Sequence, residues 1–235
     1  MAGTIVHLAV ATRLNERFRK DKKEWLGHWA KEYDSEDFFA GNICPDGIMA
    51  RKGYRREMKL HTHMRDGIPD GTFQEPERLA LFRSRLSSFF KQNVTTPHAR
   101  FSLYLGYLTH MLTDEKFILE LHPEVLKRIA QTGYDRNNPE TYVKFGKDVD
   151  NIDFRLVAEF TGISVARQAL RNVKPYEITG WITEEELTDS RKWILKYFFE
   201  TPHEIAPPLF LLYEEICEFI PAVVDEICER LHEYL

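Results

Sequence analysis

Two side chains that can bind a metal ion lie four positions apart in the strongly apolar stretch 101–117. They are His110 and Asp114, in the sequence FSLYLGYLTHMLTDEKF. If this stretch is a helix, the two side chains lie one turn apart on the same face. Apolar neighbours such as Leu103 and Phe117 fall on or near that side, so the pair is expected to face the interior. A buried imidazole and carboxylate must be paired with each other, with other polar groups or with a metal ion.

Two segments nearer the start of the chain offer further ligands. His7 lies on the apolar side of a predicted first helix, residues 6–19. Asp46 lies in residues 38–47, which contain two glycines and a proline and which we predict to form a turn or loop. The apolar residues before Asp46 indicate that this loop is packed against the core.

The sequence KLHTHM supplies two more histidines, His61 and His63. Because they alternate, they would share a side in an extended segment, and either can be the ligand. Imidazole and carboxylate together suit zinc, but they also suit iron, manganese or nickel.

Each candidate also has an ordinary structural explanation. A single histidine at the apolar start of a helix, such as His7, is more often a core residue. Asp46 in a Pro-Asp-Gly sequence is typical of a surface turn. His–Asp pairs four residues apart can stabilise a helix without any metal. Spacing alone therefore leaves a metal site as one of several interpretations.

The order of the motifs resembles that of a known family. The segments FFAGNICPDGI, KLHTHM and LGYLTHMLTDEKF follow one another at separations similar to those of the bacterial zinc-dependent phospholipase C-like family. Proteins of that family share an all-helical fold with the secreted zinc phospholipases C and the single-strand-specific zinc nucleases. The resemblance covers roughly residues 1–120.

This resemblance implies a set of metal ligands. For the first metal they are Asp46, His63, His110 and Asp114. Asp114 would also bridge to a second metal, which His7 would share. His63 is preferred to His61 because it follows a threonine, as the ligand of the family follows Ser or Thr.

The chain also departs from the secreted enzymes. Those enzymes use the amine and carbonyl of a processed N-terminal residue as ligands, and no processing signal is visible here. The second site is therefore either incomplete or filled by another residue. A His…His-x-x-x-Glu set, which holds a third zinc in those enzymes, does not occur after His110. We expect one or two ions, zinc or another divalent metal.

The resemblance predicts a metal-dependent hydrolase of phosphoesters, in which the metal activates water. Asp46 is the carboxylate expected to act as general base, if it is not fully engaged as a ligand. The substrate stays open between a small-molecule and a lipid phosphoester. The residues that can bind phosphate are Arg51, Arg55, Arg56, Lys59 and Arg65, and each can equally belong to a solvated basic loop.

Two other functions also use residues of these types. A non-catalytic helical binding protein, with a structural or vestigial metal site, is the alternative to the hydrolase. Phosphohydrolases of the HD type also use helical His and Asp ligands, but they need an adjacent His-Asp pair, and this chain has none. The oligomeric state stays open.

Helical periodicity dominates the rest of the chain, and no segment shows convincing strand alternation. We predict an all-α fold, with residues 1–235 forming a single domain, a multi-helix bundle of the zinc phospholipase C and zinc nuclease type. Besides 6–19 and 101–117, the predicted helices are one around residues 25–33, then 76–93, 123–129, two pieces of 143–170 broken near Thr161, one from Thr183 to Phe199, and 209–234.

Composition narrows the class of protein. Of 235 residues, 43% are hydrophobic, which is enough for a large core and argues against disorder. A net charge of -5 argues against general nucleic-acid binding. The sequence predicts no signal peptide and no membrane span. Three cysteines without ligand spacing suit a reducing compartment, so we expect a cytoplasmic protein.

Overall fold

The computed structural model describes residues 2–95, 100–135 and 138–235, apart from the side chain of Asp70. These ranges are all-helical, as the sequence predicts, with a single isolated bridge between Ile178 and Ile182. The α-helices are α1 (Thr4–Lys20), α2 (Lys22–Leu26), α3 (Ser35–Gly41), α4 (Cys44–Gly47), α5 (Arg56–Thr62), α6 (Pro76–Val94), α7 (Phe101–Lys116), α8 (His122–Gln131), α9 (Pro139–Glu159), α10 (Ile163–Asn172), α11 (Glu184–Ile194) and α12 (Tyr213–Tyr234). Short 3₁₀ and π-helical segments extend or join them, at Gly27–Lys31, Ile48–Ala50, Asp70–Thr72, Phe117–Leu121 and Leu195–Glu200.

Helix α7 forms the centre of the fold. All its residues are buried, and α1, α3, α6 and α12 pack around it. Charge at its C-terminal end is neutralised inside the protein, because the carboxylate of Glu115 pairs with Arg83 and Arg230. The face of α7 that carries His110 and Asp114 is buried as well.

Helices α3 and α7 cross in unusually close contact, and glycine makes this possible. A Cβ atom added at Gly106 would lie 2.1 Å from the carbonyl oxygen of Phe38, and one at Gly41 would lie 2.0 Å from that of Leu103. Real Cβ atoms do not approach a carbonyl oxygen so closely, so a larger residue at either position would push the helices apart. The crossing brings the backbone of Asn42 against His110.

Residues 38–41 and 44–47 lie in helices α3 and α4 with a two-residue turn between them, which corrects the prediction that the whole stretch is a turn or loop. Helix α3 begins at an aspartate cap, since the Asp34 carboxylate accepts the N–H of Asp37. Helix α4 follows after two residues and has Pro45 in its first turn, where a missing N–H removes no helical hydrogen bond. The glycines that indicated a turn serve instead in helix contacts.

The segment with His61 and His63 is also helical rather than extended. It forms α5 and the residue that caps it, His63. Two hydrogen bonds then close the helix end, from the Met64 N–H to the His61 carbonyl and from the Arg65 N–H to the Leu60 carbonyl. Met64 has φ of 59°, in the left-handed region that favours glycine. The chain therefore turns sharply directly after His63.

Most other predicted helices are present with shifted ends. The break near Thr161 is confirmed, because Gly162 has φ of 95° between α9 and α10. Thr183 and Glu186 form the expected capping box at α11. The last helix, however, begins at Tyr213, not at residue 209. The buried Asp148 carboxylate accepts three successive backbone N–H groups, of residues 209–211, and so holds that segment outside a helix.

Across the described ranges, no helix combines the length and apolarity that crossing a membrane requires.

Candidate metal centre

The side chains of all five predicted ligands meet at one place, although four separate elements carry them. They fall into two groups, each with its ligand atoms within 4.8 Å of one another. The inner group is His7, His110 and Asp114, and the cleft group is Asp46, His63 and His110. His110 belongs to both groups. Helix α7 therefore supplies the shared part of the centre, and α1, α4 and the end of α5 supply the remainder.

His61 does not reach this place. Its side chain is 53% exposed and pairs with Asp66, with Nδ1 2.6 Å from a carboxylate oxygen. His63, by contrast, is buried. The helical form of the segment separates the two rings, because residues two apart on a helix do not share a face.

Backbone carbonyls fix the orientation of two imidazoles. Nδ1 of His110 lies 2.8 Å from the carbonyl oxygen of Asn42, and Nδ1 of His63 lies 2.8 Å from that of Lys59. A carbonyl oxygen can only accept, so each Nδ1 carries the hydrogen and donates it. In the neutral rings, both Nε2 atoms then present lone pairs to the centre. In metal sites, a hydrogen bond from the other ring nitrogen commonly fixes the tautomer and orientation of a histidine ligand in this way.

Four distances among the cleft group and one oxygen of Asp114 fit a tetrahedral ion. Nε2 of His63 lies 3.3 Å from Nε2 of His110 and 3.4 Å from Oδ1 of Asp46. Oδ2 of Asp114 lies 3.6 Å from each of the two Nε2 atoms. Ligands at about 2.0–2.2 Å from a tetrahedral zinc are about 3.3–3.6 Å apart. Two lone pairs cannot hydrogen-bond to each other, so the two Nε2 atoms are positioned as two ligands of one ion would be.

The two oxygens of Asp114 face different groups. Oδ1 accepts the backbone N–H of Ala2 and lies 3.4 Å from Nε2 of His7. Oδ2 faces His63 and His110, and it has no hydrogen-bond partner among the described residues. Burial alone would raise the pKa of Asp114, but the two histidines beside it, His110 and His7, hold that pKa well below its usual range. The result is an ionised carboxylate placed to bridge the two groups.

His7 is as fully buried as His110. Its ring stacks on that of His110, with centroids 3.7 Å apart and planes 5° from parallel. Neither ring nitrogen has a hydrogen-bond partner within the part of the chain described. Burial lowers the pKa of His7 to about 4, and His110 adds to this effect. The imidazole is therefore neutral near pH 7, as a metal ligand must be.

Asp46 differs from the other ligands because it is partly exposed and paired with a cation. Its Oδ1 lies 2.5 Å from Nζ of Lys59. Burial would raise the pKa of the Asp46 carboxyl, but Lys59 and then His63 outweigh burial and hold that pKa well below its usual range. A carboxylate of such low pKa is a good ligand and a weak base.

A cleft of about 460 Å³ adjoins the cleft group. Lys59 and His63 line it on the side of the centre, and its other walls combine cationic and apolar side chains. The remaining lining residues are Met49, Tyr54, Arg56, Leu60, Arg65, Gly71, Gln74, Ile118, His122, Leu126, Tyr142 and Phe145. A cavity of this size and mixed character can take a small molecule or part of a larger one.

The five basic residues proposed as phosphate ligands separate into two sets. Arg51 is engaged by Glu186 through two nitrogen–oxygen contacts, of 2.5 and 2.9 Å. Arg55 is exposed and lies outside the lining of the cleft. The other three, Arg56, Lys59 and Arg65, line the cleft.

Sequence reasoning did not find the contacts that orient the rings. The carbonyl groups of Asn42 and Lys59 act through the backbone, so no residue type marks them. The spacing of Lys59 and His63 could have indicated the second of these contacts. The two residues are four positions apart, so at a helix end the His63 ring can reach the Lys59 carbonyl. His122, which no sequence motif marked, also lines the cleft.

Comparisons with models of protein families, with characterised proteins and with solved structures gave no match. The function must therefore be argued from the chemistry of the site.

Proposed function

We propose that this protein is a metal-dependent hydrolase of phosphoesters, with zinc as the preferred metal. The fold we infer for it is the multi-helix bundle of the zinc phospholipases C and zinc nucleases. The observation that carries the proposal is the set of four distances, 3.3 to 3.6 Å, among Asp46, His63, His110 and Asp114. Those distances suit a tetrahedral zinc, and a cleft large enough for a substrate adjoins the same residues.

The donor set supports a metal better than it supports a purely structural cluster. Nε2 of His7 and Oδ2 of Asp114 are buried without hydrogen bonds among the described residues. Leaving such groups unpaired costs about 1–3 kcal/mol each. A cation in the cleft group would satisfy Oδ2 of Asp114, and a second cation in the inner group would satisfy Nε2 of His7. The nitrogen and oxygen donors suit zinc, and they allow iron, manganese or nickel.

Each residue has a part in the proposed reaction. When bound, the metal supplies the Lewis acidity that activates water and polarises a phosphoryl oxygen. Asn42 and Lys59 hold the two histidine rings in the ligating tautomer through their carbonyls. Asp114 neutralises positive charge in both groups. Asp46 acts chiefly as a ligand, because its low pKa weakens it as the general base.

The lining of the cleft favours a phosphoester as substrate, but it does not specify the alcohol group of that ester. Its cationic walls can hold the phosphoryl oxygens, and its apolar walls can hold a small organic group or part of a lipid chain. We place the protein in the cytoplasm, because its three cysteines are free.

Metal analysis combined with turnover tests the proposal. Purified protein is stripped of metal, reloaded with zinc or manganese, and assayed with p-nitrophenyl phosphate and bis-p-nitrophenyl phosphate. We expect one or two equivalents of metal and metal-dependent release of nitrophenol. The His110→Ala variant, prepared in the same way, should show neither. Stoichiometric metal with no turnover on either ester would instead favour the non-catalytic alternative.

A further inference from the structure

Lys59 contacts the candidate centre in two ways. Its carbonyl accepts the hydrogen bond of His63 Nδ1, and its ammonium lies 2.5 Å from Oδ1 of Asp46. The same carboxylate oxygen is 3.4 Å from Nε2 of His63. Lys59 thus supplies a positive charge to an oxygen that the metal would also use.

A metal ion and this ammonium compete for one carboxylate. Asp46 carries a single negative charge, and two cations on one oxygen repel each other strongly where water is largely excluded. The side chain of Lys59 is only 16% exposed, so solvent screens the repulsion incompletely. The ion pair therefore opposes metal binding, and metal binding opposes the ion pair.

The cleft offers the ammonium another position. Lys59 lines it beside His63, on the side where a substrate would meet the metal. A lysine has four rotatable methylene groups and three N–H donors, and it binds phosphate as a mobile point charge. An ammonium displaced from Asp46 can therefore contact phosphoryl oxygens without any change of the backbone.

We propose that Lys59 takes the place of the metal at Asp46 in the metal-free protein and becomes the phosphate-binding residue once a metal takes that carboxylate. The inference rests on the proposed function for the nature of the substrate. Phosphate binding would then depend on metal loading, because the Lys59 ammonium cannot pair with Asp46 and with phosphate at the same time.

Metal affinity tests the first half of this proposal without any turnover. Zinc is titrated into metal-free protein in competition with a chromophoric chelator, for the wild type, Lys59→Met, Lys59→Arg and the control Lys52→Met. Lys52 is exposed in the loop before α5. Removing the competing charge should tighten zinc binding about tenfold in Lys59→Met. Lys59→Arg and Lys52→Met should bind as the wild type does. Unchanged or weaker binding by Lys59→Met, with its helical content intact by circular dichroism, overturns the proposal.

Binding of inorganic phosphate tests the second half. Calorimetry should show that the zinc-loaded wild type binds phosphate at least about tenfold more tightly than zinc-loaded Lys59→Met, since one charged contact is lost. The zinc-free wild type should bind phosphate no more tightly than zinc-loaded Lys59→Met does. Equal phosphate binding by the zinc-loaded wild type and Lys59→Met would refute the role in the cleft.

These results separate the two proposals. Tighter zinc binding by Lys59→Met, in a protein that hydrolyses no phosphoester, would support Lys59 as the competitor and reject the hydrolase. If the wild type hydrolyses phosphoesters but binds zinc no more weakly than Lys59→Met, the hydrolase is supported and the competition by Lys59 is rejected. If none of the proteins binds zinc, both proposals fall with the site assignment.

Discussion

The inner group and the cleft group share His110 but have opposite surroundings. In the inner group, His7 and Asp114 are buried, and the ring of His7 has neither a hydrogen bond among the described residues nor a place in the lining of the cleft. In the cleft group, Asp46 is partly exposed and paired with Lys59, and His63 lines the cleft. Under the proposed function, the substrate would therefore bind beside the cleft group, whereas the inner group would neutralise charge and hold His110 and Asp114 in position.

The largest expected effect comes from the residue that both groups share. His110→Ala should weaken metal binding more than about 100-fold, because it removes a ligand from each group. Loss of a residue that merely hydrogen-bonds to a ligand already weakens metal binding by about 10- to 100-fold. His28→Ala, at an exposed histidine that packs on Trp29, should bind metal normally. Stoichiometric metal in dialysed His110→Ala, measured by plasma mass spectrometry, would contradict the assignment.

The next effect compares one ligand from each group. His63→Ala should lose turnover about 1,000-fold, since it removes a ligand beside the cleft. His7→Ala should retain one equivalent of metal and lose turnover only about tenfold, because the cleft group keeps all its ligands. Turnover and metal content measured on the same preparations check both statements. A variant at His7 that is as inactive as the one at His63 would remove the proposed division.

The pH dependence of stability separates the buried groups of the metal-free protein. His7 has a pKa of about 4 when folded and about 6.5 when unfolded, so stability is lost as pH falls through that window, by up to about 3 kcal/mol. His63, whose pKa burial also lowers, acts in the same direction. Burial raises the pKa of Asp153 to about 8, so this carboxyl contributes stability that is lost as pH rises from about 4 to about 8.

The two effects oppose each other between pH 4 and 6.5, and a substitution can separate them. Asp153→Asn keeps an acceptor for the N–H of Val6 but no longer titrates. Urea unfolding in the presence of a chelator should then show stability falling from pH 7 to pH 4.5 more steeply in Asp153→Asn than in the wild type. Parallel profiles for the two proteins would show that Asp153 does not oppose His7.

The smallest expected effect concerns the helix crossing that supports His110. Gly106→Ala places a methyl group against the Phe38 carbonyl, and such overpacking costs about 1–3 kcal/mol. The shift also moves the Asn42 carbonyl away from His110, so zinc should bind less tightly. Gly146→Ala, in an open position on α9, should stabilise the protein by about 0.5–1 kcal/mol. Equal thermal stability of the two variants would show that the close crossing is not needed.

The sequence predicted the parts of the fold that depend on periodicity. Apolar spacing located α1, α6 and α7, and a capping box located the start of α11. The four-residue separation of His110 and Asp114 was enough to place them on one buried face. The all-helical class followed from the same patterns.

Tertiary contacts explain where those predictions were wrong. Gly41 indicated a turn, but it allows α3 to approach α7, which residue type alone does not reveal. Asp148 holds residues 209–211 outside a helix from a position 61 to 63 residues away. An extended segment would put His61 and His63 on the same side, whereas the end of α5 separates them. Long-range pairing of this kind leaves no local pattern.

Anomalous X-ray scattering from crystals of zinc-loaded protein tests the central claim most directly. Data collected on both sides of the zinc edge should give a peak among the side chains of Asp46, His63, His110 and Asp114. A second, weaker peak between His7 and Asp114 would add the inner group as an occupied site. A crystal with no zinc peak at these residues, or with its only peak elsewhere on the protein, would contradict the account.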